Sequence, residues 1–347
     1  MEKNIRDELV PILAAIDVVS PALLRYRGEV IAVNPAPMQV LPGFPGHPLP
    51  SMPLVRELQS LLYARCYAHR FEEEPRATSS PGSVDTEFIK RLSRNNHSAS
   101  RWEGGWTIYA IAPNGQISVI KGDRQRSAFP GEFITAGPPG LPPQVGATVS
   151  LQVLGESAVA QPGFYFVYGE TLSDVWDEYD LLRFYFHTSG DLAPLLLDHL
   201  TRQLNRYQVA FRLKTLNEPS LYGRTDSAVL YVARRYHAVI VRIVRLMPEG
   251  LAKGLYPSVP LFTQWVQSGV GLAEEPNTGE SFGMHRCRMT AEGIVDAWMA
   301  GEHSVDGRLR AIAARFSQNG FDLERPYLSP ASAEFAEVLE QVEFAHA

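Results

Sequence analysis

Two short segments of the C-terminal half, RFYFHTS and VAFRLKT, most strongly constrain the fold because polar and apolar residues alternate along them. Side chains alternate between the two faces of a β-strand, so each segment predicts a strand with one apolar and one polar face. In the first, the polar face carries Arg183, Tyr185 and His187. In the second, it carries Arg212 and Lys214. If both strands join one sheet in the same orientation, these five side chains line one surface.

The other patterns along the chain predict an α+β protein. The C-terminal half is expected to form a mixed or antiparallel sheet with flanking helices, and the N-terminal half a helical region with a small β region. Helices are predicted for the first twenty residues, for 54–69, for a short segment that Asp85 caps, and for several C-terminal segments including 304–317 and 330–345. WTIYAIA and QISVIK predict a hairpin. We expect a region 1–150 and a catalytic region 151–347.

Several segments are expected to lack regular structure. A proline-rich stretch over residues 34–53 predicts an ordered connector or an extended arm, because proline cannot continue a helix. Residues 72–85 are the most disorder-like, and residues 136–146 resemble a loop. The segment WVQSGVGLAEEPNTGESFG, residues 265–283, is also expected to be a loop before a helix.

Charge and composition exclude several classes of function. A net charge of -6 disfavours nucleic-acid binding, which usually needs a strong basic excess. No apolar run approaches the roughly 20 residues of a membrane helix, and the N-terminus does not resemble a secretory signal. The only cysteines, Cys66 and Cys287, cannot form a disulfide framework, and the chain lacks the spacing of a metal site. We therefore expect a cytoplasmic protein that needs no metal or other cofactor.

The polar strand faces have two interpretations. A sheet with one face in solvent would show the same alternation, and from the pattern alone we favour that structural interpretation. The functional interpretation is an arginine-lined site with one lysine and one histidine. Other positive side chains near the predicted strands are Arg224, just before the third strand with Tyr222 beside it, and Arg286 and Arg288, at the start of a later helix.

Longer motifs favour the functional interpretation. The segments PGFYFVYGE, FRLKTLNEPSLYGRTDSAVLYV and GVGLAEEPNTGESFGMHRCR, between about residues 160 and 298, resemble the HopA-type effector-related proteins. A looser resemblance begins near RLSRNNHSASRWEGGW. Some members of that family are lyases in class V lanthipeptide and thioamitide biosynthesis, so the resemblance implies a lyase.

A more distant similarity is to the phosphothreonine lyases that enteric pathogens inject into host cells. Their histidine general acid lies in a strand with the motif FHIS, which implies this role for His187 in FHTS. Their general base lies in WKVT, which implies Lys214 in LKTL. The same resemblance implies phosphate contacts for Arg224 and, more loosely, for Arg286 and Arg288. Their strand has a lysine where this chain has Tyr185, so one phosphate contact is absent or replaced.

The residue types suit removal of phosphate by β-elimination. That reaction needs a base for the α-proton and cations for the leaving phosphate. Nearby cations and burial favour a neutral lysine, and Arg212 is placed to contribute. Arginine also suits bidentate phosphate contact, so Arg183, Arg212 and Arg224 are phosphate-binding candidates, with Tyr222 orienting the substrate. The substrate would be a phosphorylated ribosomal precursor peptide.

Kinase motifs are absent, so such a lyase needs a separate Ser/Thr kinase as partner, and the N-terminal half is a candidate for leader-peptide or kinase contact. The alternative is a phosphopeptide-binding module or secreted effector without lyase activity. A thiol-adding cyclase ranks last, because no zinc site of the usual kind is present.

Overall fold

A computed structural model of the chain describes residues 4–35, 52–71, 85–122, 124–137, 140–174 and 176–330, together with Ser332 and Phe335. Nearly all of the proline-rich stretch, the segment 72–84 and most of the predicted helix 330–345 lie outside these residues. No helix among the described residues has the length and apolar character needed to cross a membrane.

The chain first forms a small unit near its N-terminus. Helix α1 (Ile5–Ala14) leads into a three-stranded antiparallel sheet of β1 (Ile16–Ser20), β2 (Leu23–Tyr26) and β3 (Glu29–Ala32). The predicted helix over the first twenty residues therefore ends early. Its last part contains β-branched residues, which favour a strand, and Ile16 and Val18 bury one face of β1.

Two helical segments follow as predicted. Helix α2 (Pro53–Leu62) continues into one turn of π-helix, Tyr63–Tyr67. Helix α3 (Thr86–Arg94) begins after Asp85, whose carboxylate accepts a hydrogen bond from the Phe88 amide at 2.9 Å, as the expected N-cap.

A five-stranded antiparallel sheet comes next, in the order β6-β5-β4-β8-β7. Its strands are β4 (Arg101–Ile111), β5 (Ile117–Lys121), β6 (Arg124–Ala128), β7 (Phe133–Thr135) and β8 (Thr148–Val153). The predicted hairpin is confirmed as β4 and β5. The expected boundary between residues 150 and 151 falls inside β8, and the division into two regions stays a prediction.

The centre of the molecule is a seven-stranded sheet in the order β14-β15-β11-β13-β12-β10-β9, in which every pair is antiparallel. Its strands are β9 (Glu156–Ser157), β10 (Phe164–Tyr168), β11 (Leu181–Phe186), β12 (Phe211–Leu216), β13 (Ala228–Ala233), β14 (Gln264–Gln267) and β15 (Val270–Glu274). Its helices are α4 (Ala193–Arg206), α5 (His237–Arg245), α6 (Glu249–Gly254), α7 (Phe282–Met299) and α8 (Val305–Gln318). Single 3-10 turns occupy Trp176–Tyr179, Pro219–Leu221 and Arg234–Tyr236. The α+β prediction is confirmed.

The expected loop over 265–283 is wrong in its first part, which forms the β14–β15 hairpin. Gly269, with φ +72°, makes the turn between the two strands. The segment is short and rich in glycine, so its sequence has little strand propensity. It is extended because β15 pairs along its whole length with β11, a contact that local sequence does not reveal.

Both faces of the seven-stranded sheet are covered along its central strands. One face packs its leucines and phenylalanines with α4 and α5 in one hydrophobic cluster. The other face joins a second cluster that includes α1, α2, α7 and α8, with Tyr185, Val229 and Tyr231 contributed by the sheet. The predicted polar face is this second face, and much of it is buried rather than open to solvent.

Candidate active site

The two strands that carry the predicted polar residues belong to one sheet but do not pair with each other. Strand β13 lies between β11 and β12. Tyr185 is opposite Val229, and Val229 is opposite Lys214, so these three form one row across the sheet. The next row runs through Arg183, Tyr231 and Arg212. The shared register places the predicted residues of both strands on the same face.

His187 follows β11 and continues this face one pleat beyond Tyr185. The register and standard strand spacings put the Cα atoms of His187 and Lys214 roughly 12 Å apart. His187 Nδ1 lies 2.9 Å from Oγ of Ser258 and 3.2 Å from its carbonyl oxygen. Since a carbonyl only accepts, this contact favours a proton on Nδ1 and fixes the orientation of the ring. The Tyr256 ring packs against it at 4.8 Å between centroids.

Three cations surround the ring of Tyr231. The guanidinium carbons of Arg212 and Arg183 lie 4.5 and 5.1 Å from the ring centroid, and Nζ of Lys214 lies 5.9 Å from it. Burial alone would raise the pKa of Tyr231, but the charges of Arg183, Lys214 and Arg212 lower it below its ordinary value. This face therefore has a strongly positive potential at its centre.

Arg183 is buried and held by a carboxylate. Its Nε and Nη2 atoms donate to the two oxygens of Glu275 at 2.5 and 2.6 Å, a bidentate pair at the edge of the second cluster. The pair neutralises one of the three charges around Tyr231 and fixes the position of the guanidinium.

Arg224 is paired in the same way at the end of the strands. It donates to both oxygens of Asp226 at 2.8 and 2.9 Å and to the Tyr63 hydroxyl at 3.0 Å. Burial alone would raise the pKa of Asp226, but Arg224 and then Lys214 lower it below its usual range. Thr215, next to Lys214, is opposite Ala228, which lies two residues after Asp226, so Lys214 is near the Arg224 pair.

Arg212 and Lys214 differ from these arginines because neither forms an ion pair or a hydrogen bond with any other part of the chain that the structure describes. Arg212 is exposed and Lys214 is half-buried. The Lys214 ammonium lies 4.5 Å from the ring centroid of Phe164 on β10. Their positive charges are therefore available to an anionic ligand.

The two predicted tyrosines are on opposite faces. Tyr185 is buried on the polar face, where its ring meets Tyr67 edge to face at 6.3 Å. Tyr222 is buried in the cluster on the other face, and its hydroxyl donates to the Leu216 carbonyl at 2.7 Å. The structure therefore does not bring Tyr222 to the site, and we leave it out of the proposed substrate contacts.

Arg286 and Arg288 also lie elsewhere, on α7. Arg286 is completely buried and donates to the carbonyls of Pro326 at 2.5 Å and Leu328 at 2.9 Å, so it has no surface to offer a phosphate. Arg288 donates to Glu280 and Glu292 at 2.8 and 2.9 Å. Both side chains stabilise α7, and we leave them out of the proposed site.

Sequence reasoning missed Tyr231, Tyr63 and Ser258. The alternation along AVLYV, with Tyr231 two residues after Val229, was a signal that could have placed Tyr231 on the polar face. No signal pointed to Tyr63, which the π-helical turn brings to Arg224, or to Ser258, which reaches His187 from a loop after α6. Such single π-turns are frequent at functional sites.

Metal ligands are not grouped here. Among the described ranges, no three or more His, Cys, Asp and Glu side chains are arranged to hold a metal ion. His285 and Cys287 are both buried within α7.

Comparison with known proteins gives one family. Residues 156–328 match the HopA1 effector protein family. This HopA1 region contains His187, Lys214, Arg183, Arg212 and Arg224, and it spans the whole seven-stranded sheet from β9 to β15. It agrees with the resemblance that the C-terminal motifs indicated.

Two solved structures are similar to the chain. The effector protein from Pseudomonas syringae pv. tomato strain DC3000 is 16% identical with a TM-score of 0.42, over 79% of this chain and 94% of that one. The effector protein from Pseudomonas syringae pv. syringae strain 61 is 16% identical with a TM-score of 0.43, over 78% and 88%. No curated protein matches the chain.

Proposed function

We propose that this protein is a phosphoserine/phosphothreonine lyase that eliminates phosphate from a phosphorylated ribosomal precursor peptide. The observation that carries the proposal is that Lys214 and Arg212 have no ion-pair partner among the described residues and lie on the same sheet face as His187, close to further cations. The HopA1 match over this region supports the same assignment.

In the proposed reaction, Lys214 acts in its deprotonated form, and its amine removes the α-proton of the phosphorylated residue. The electron pair of that C–H bond forms the Cα=Cβ double bond, and the Cβ–O bond breaks. The leaving phosphate takes a proton from the imidazolium of His187, which Ser258 orients through Nδ1. The products are inorganic phosphate and a dehydroalanine or dehydrobutyrine residue, and no water is consumed.

The arginines have two different roles in the proposed phosphate site. Arg212 is open to solvent and makes the direct contact in our proposal. Arg183 and Arg224 are each bound to a carboxylate, so they supply positive potential and fix the walls of the site. Tyr185 takes the position of the lysine in the phosphothreonine lyases, and as a buried ring it shapes the site without adding charge.

We propose that a separate Ser/Thr peptide kinase, the partner of this lyase, phosphorylates the substrate. Contact with that kinase, or with a leader peptide, is the role we propose for the N-terminal half. We also propose that the protein works in the cytoplasm, where precursor peptides are made.

Mass spectrometry of a synthetic phosphothreonine peptide incubated with the protein tests the reaction. Elimination lowers the peptide mass by about 98 Da, whereas hydrolysis lowers it by about 80 Da. An unchanged mass with tight binding would instead identify a phosphopeptide-binding module, the alternative function.

The Lys214→Ala variant tests the proposed base. We expect elimination to slow by about 10²–10⁴-fold, the usual contribution of a general base, with peptide affinity little changed. Lys253→Ala is the matched control, because Lys253 is an exposed lysine on α6 that pairs with Glu249 of the same helix. Elimination at the wild-type rate by Lys214→Ala would refute the mechanism.

A further inference from the structure

A second cationic surface adjoins the candidate site. A cleft lies between the five-stranded and seven-stranded sheets, with walls from β4, β6, β10, β12 and β13. Four arginines line it: Arg101, Arg124, Arg126 and Arg212. Arg212 and Tyr231 belong both to this cleft and to the candidate active site, so the two are continuous.

The acidic residues of the cleft do not balance these arginines. Glu103 is buried and already pairs with Lys121 at 3.0 Å and Arg124 at 3.3 Å. Asp177 is buried and pairs with Arg235 at 2.7 Å. Within the described part of the chain, Arg101, Arg126 and Arg212 have no carboxylate at ion-pair distance. The cleft therefore has an excess of positive charge that an anionic ligand would neutralise.

The three arginines lie along one path. Tyr168 on β10 is opposite Arg212 on β12 and lines the same cleft. The charges of Arg212 and Arg126 both act on the Tyr168 hydroxyl, although burial raises its pKa overall. Arg101 and Arg126 line the same cleft, and burial lowers the pKa of Arg101, an effect that Glu103 opposes and Arg126 adds to. The path thus leads from Lys214 through Arg212 to the five-stranded sheet.

Exposed apolar side chains lie beside the cleft, which favours a peptide over a free inorganic anion. Leu172 lines the cleft and is exposed. Trp176, just before the cleft-lining Asp177, is 78% exposed, and Tyr179 is exposed in the same turn. Large exposed apolar side chains beside cations are typical of a surface that binds peptide side chains of both kinds.

We propose that this cleft binds an acidic segment of the substrate peptide, with its Asp or Glu side chains on Arg101 and Arg126, while the phosphorylated residue is at Lys214 with its phosphate on Arg212. This inference rests on the proposed function for the identity of the peptide. It assigns to the five-stranded sheet, outside the HopA1 match, a role in selecting the substrate.

The test compares matched peptides by fluorescence anisotropy. One set carries a phosphothreonine with glutamates on its N-terminal or C-terminal side, and the second set has glutamine at those positions. We expect wild-type protein to bind one acidic peptide about tenfold more tightly than its glutamine counterpart, and Arg126→Glu to abolish that preference. Arg126 is exposed, so Arg126→Glu should leave the fold intact, which circular dichroism would check.

Arg206→Glu is the matched control, because Arg206 is an exposed arginine at the end of α4, which packs on the opposite face of the sheet. It makes the same change in net charge and should leave the preference unchanged. Equal affinities for the acidic and glutamine peptides in wild-type protein, or a preference that survives Arg126→Glu, would overturn the inference.

Turnover measurements separate this inference from the proposed function. With the acidic peptide, Arg126→Glu should raise KM about tenfold and leave kcat nearly unchanged, since Arg126 lies away from the reacting bonds. Phosphate elimination by wild-type protein without any acidic preference would support the lyase and reject the cleft. A binding preference for the acidic peptide without any phosphate elimination would support the cleft and reject the lyase.

Discussion

On the second face of the seven-stranded sheet, the same residue types are buried in one half and accessible in the other. The closed half, formed by Arg183 and Tyr185 on β11, is buried, and Tyr185 packs in the cluster that includes α1, α2 and α7. The open half, formed by Arg212 and Lys214 on β12, is accessible. Arg183 is bound by Glu275, whereas Arg212 and Lys214 have no carboxylate partner within the described ranges.

This difference separates cations that maintain the site from cations that can bind a ligand. A buried charge without a partner is very costly, so the closed half needs Glu275. An exposed charge loses little by remaining unpaired, so the open half can keep its cations for an incoming anion. Alternation along the strands predicts both halves alike, and only the covering elements distinguish them.

The largest expected effect is on stability in the closed half. Glu275→Gln leaves the Arg183 charge buried without its carboxylate, and we expect the free energy of unfolding to fall by about 3–5 kcal/mol. Arg212→Gln in the open half should change it by no more than about 0.5 kcal/mol. Urea denaturation measures both. Similar losses for the two variants would remove the distinction between the halves.

An intermediate effect concerns α7, which covers the closed half. His285 is buried and its Nδ1 accepts a hydrogen bond from Arg286 at 2.7 Å, so it must stay neutral. Burial, followed by the charges of Arg286 and Arg288, lowers the pKa of His285 to about 3 from 6.5. Below pH 6.5 the unfolded chain therefore binds a proton that the folded protein does not. The free energy of unfolding therefore decreases as the pH is lowered.

Between pH 7 and pH 5 this histidine should lower the free energy of unfolding by about 2 kcal/mol. His285→Gln should be less stable at pH 7 but should lose less on acidification, as measured by urea denaturation at both pH values. His303→Gln, at an exposed histidine, is the control. The same loss in wild-type protein and His285→Gln would contradict the prediction.

The smallest effect should appear at Tyr231, where the halves meet. The charges of Arg183, Lys214 and Arg212 outweigh burial and lower its pKa, so it should ionise below the pH of an ordinary tyrosine. An ultraviolet absorbance titration should show one early transition that Tyr231→Phe removes and Arg212→Gln shifts to higher pH. If Tyr231→Phe leaves the titration curve unchanged, the cations are not grouped around this ring as the structure places them.

Much of the fold follows from local pattern. The alternation in RFYFHTS and FRLKT predicted β11 and β12, and the spacing after Asp85 predicted α3 with its cap. The β14–β15 hairpin was missed because its glycine-rich sequence is extended only through pairing with β11. Helix α1 ends early because the β-branched residues after it pair with β2.

The candidate site was only partly predictable for the same reason. Lys214, Arg212, Arg183 and His187 share a face because strand alternation fixes it. Arg286, Arg288 and Tyr222 were candidates because of their charge or their place near a strand, and neither property specifies where a side chain packs. Tyr63 and Ser258 enter the site from distant segments, which no local pattern records.

The sequence by itself determined which side chains point to the same face, because the two-residue period of a strand is a local property of the backbone. The tertiary structure decided that β13 separates β11 from β12, which arginines receive a carboxylate partner, and which part of the face remains open. Those outcomes depend on contacts between residues far apart in the chain, such as Arg183 with Glu275 and Tyr63 with Arg224.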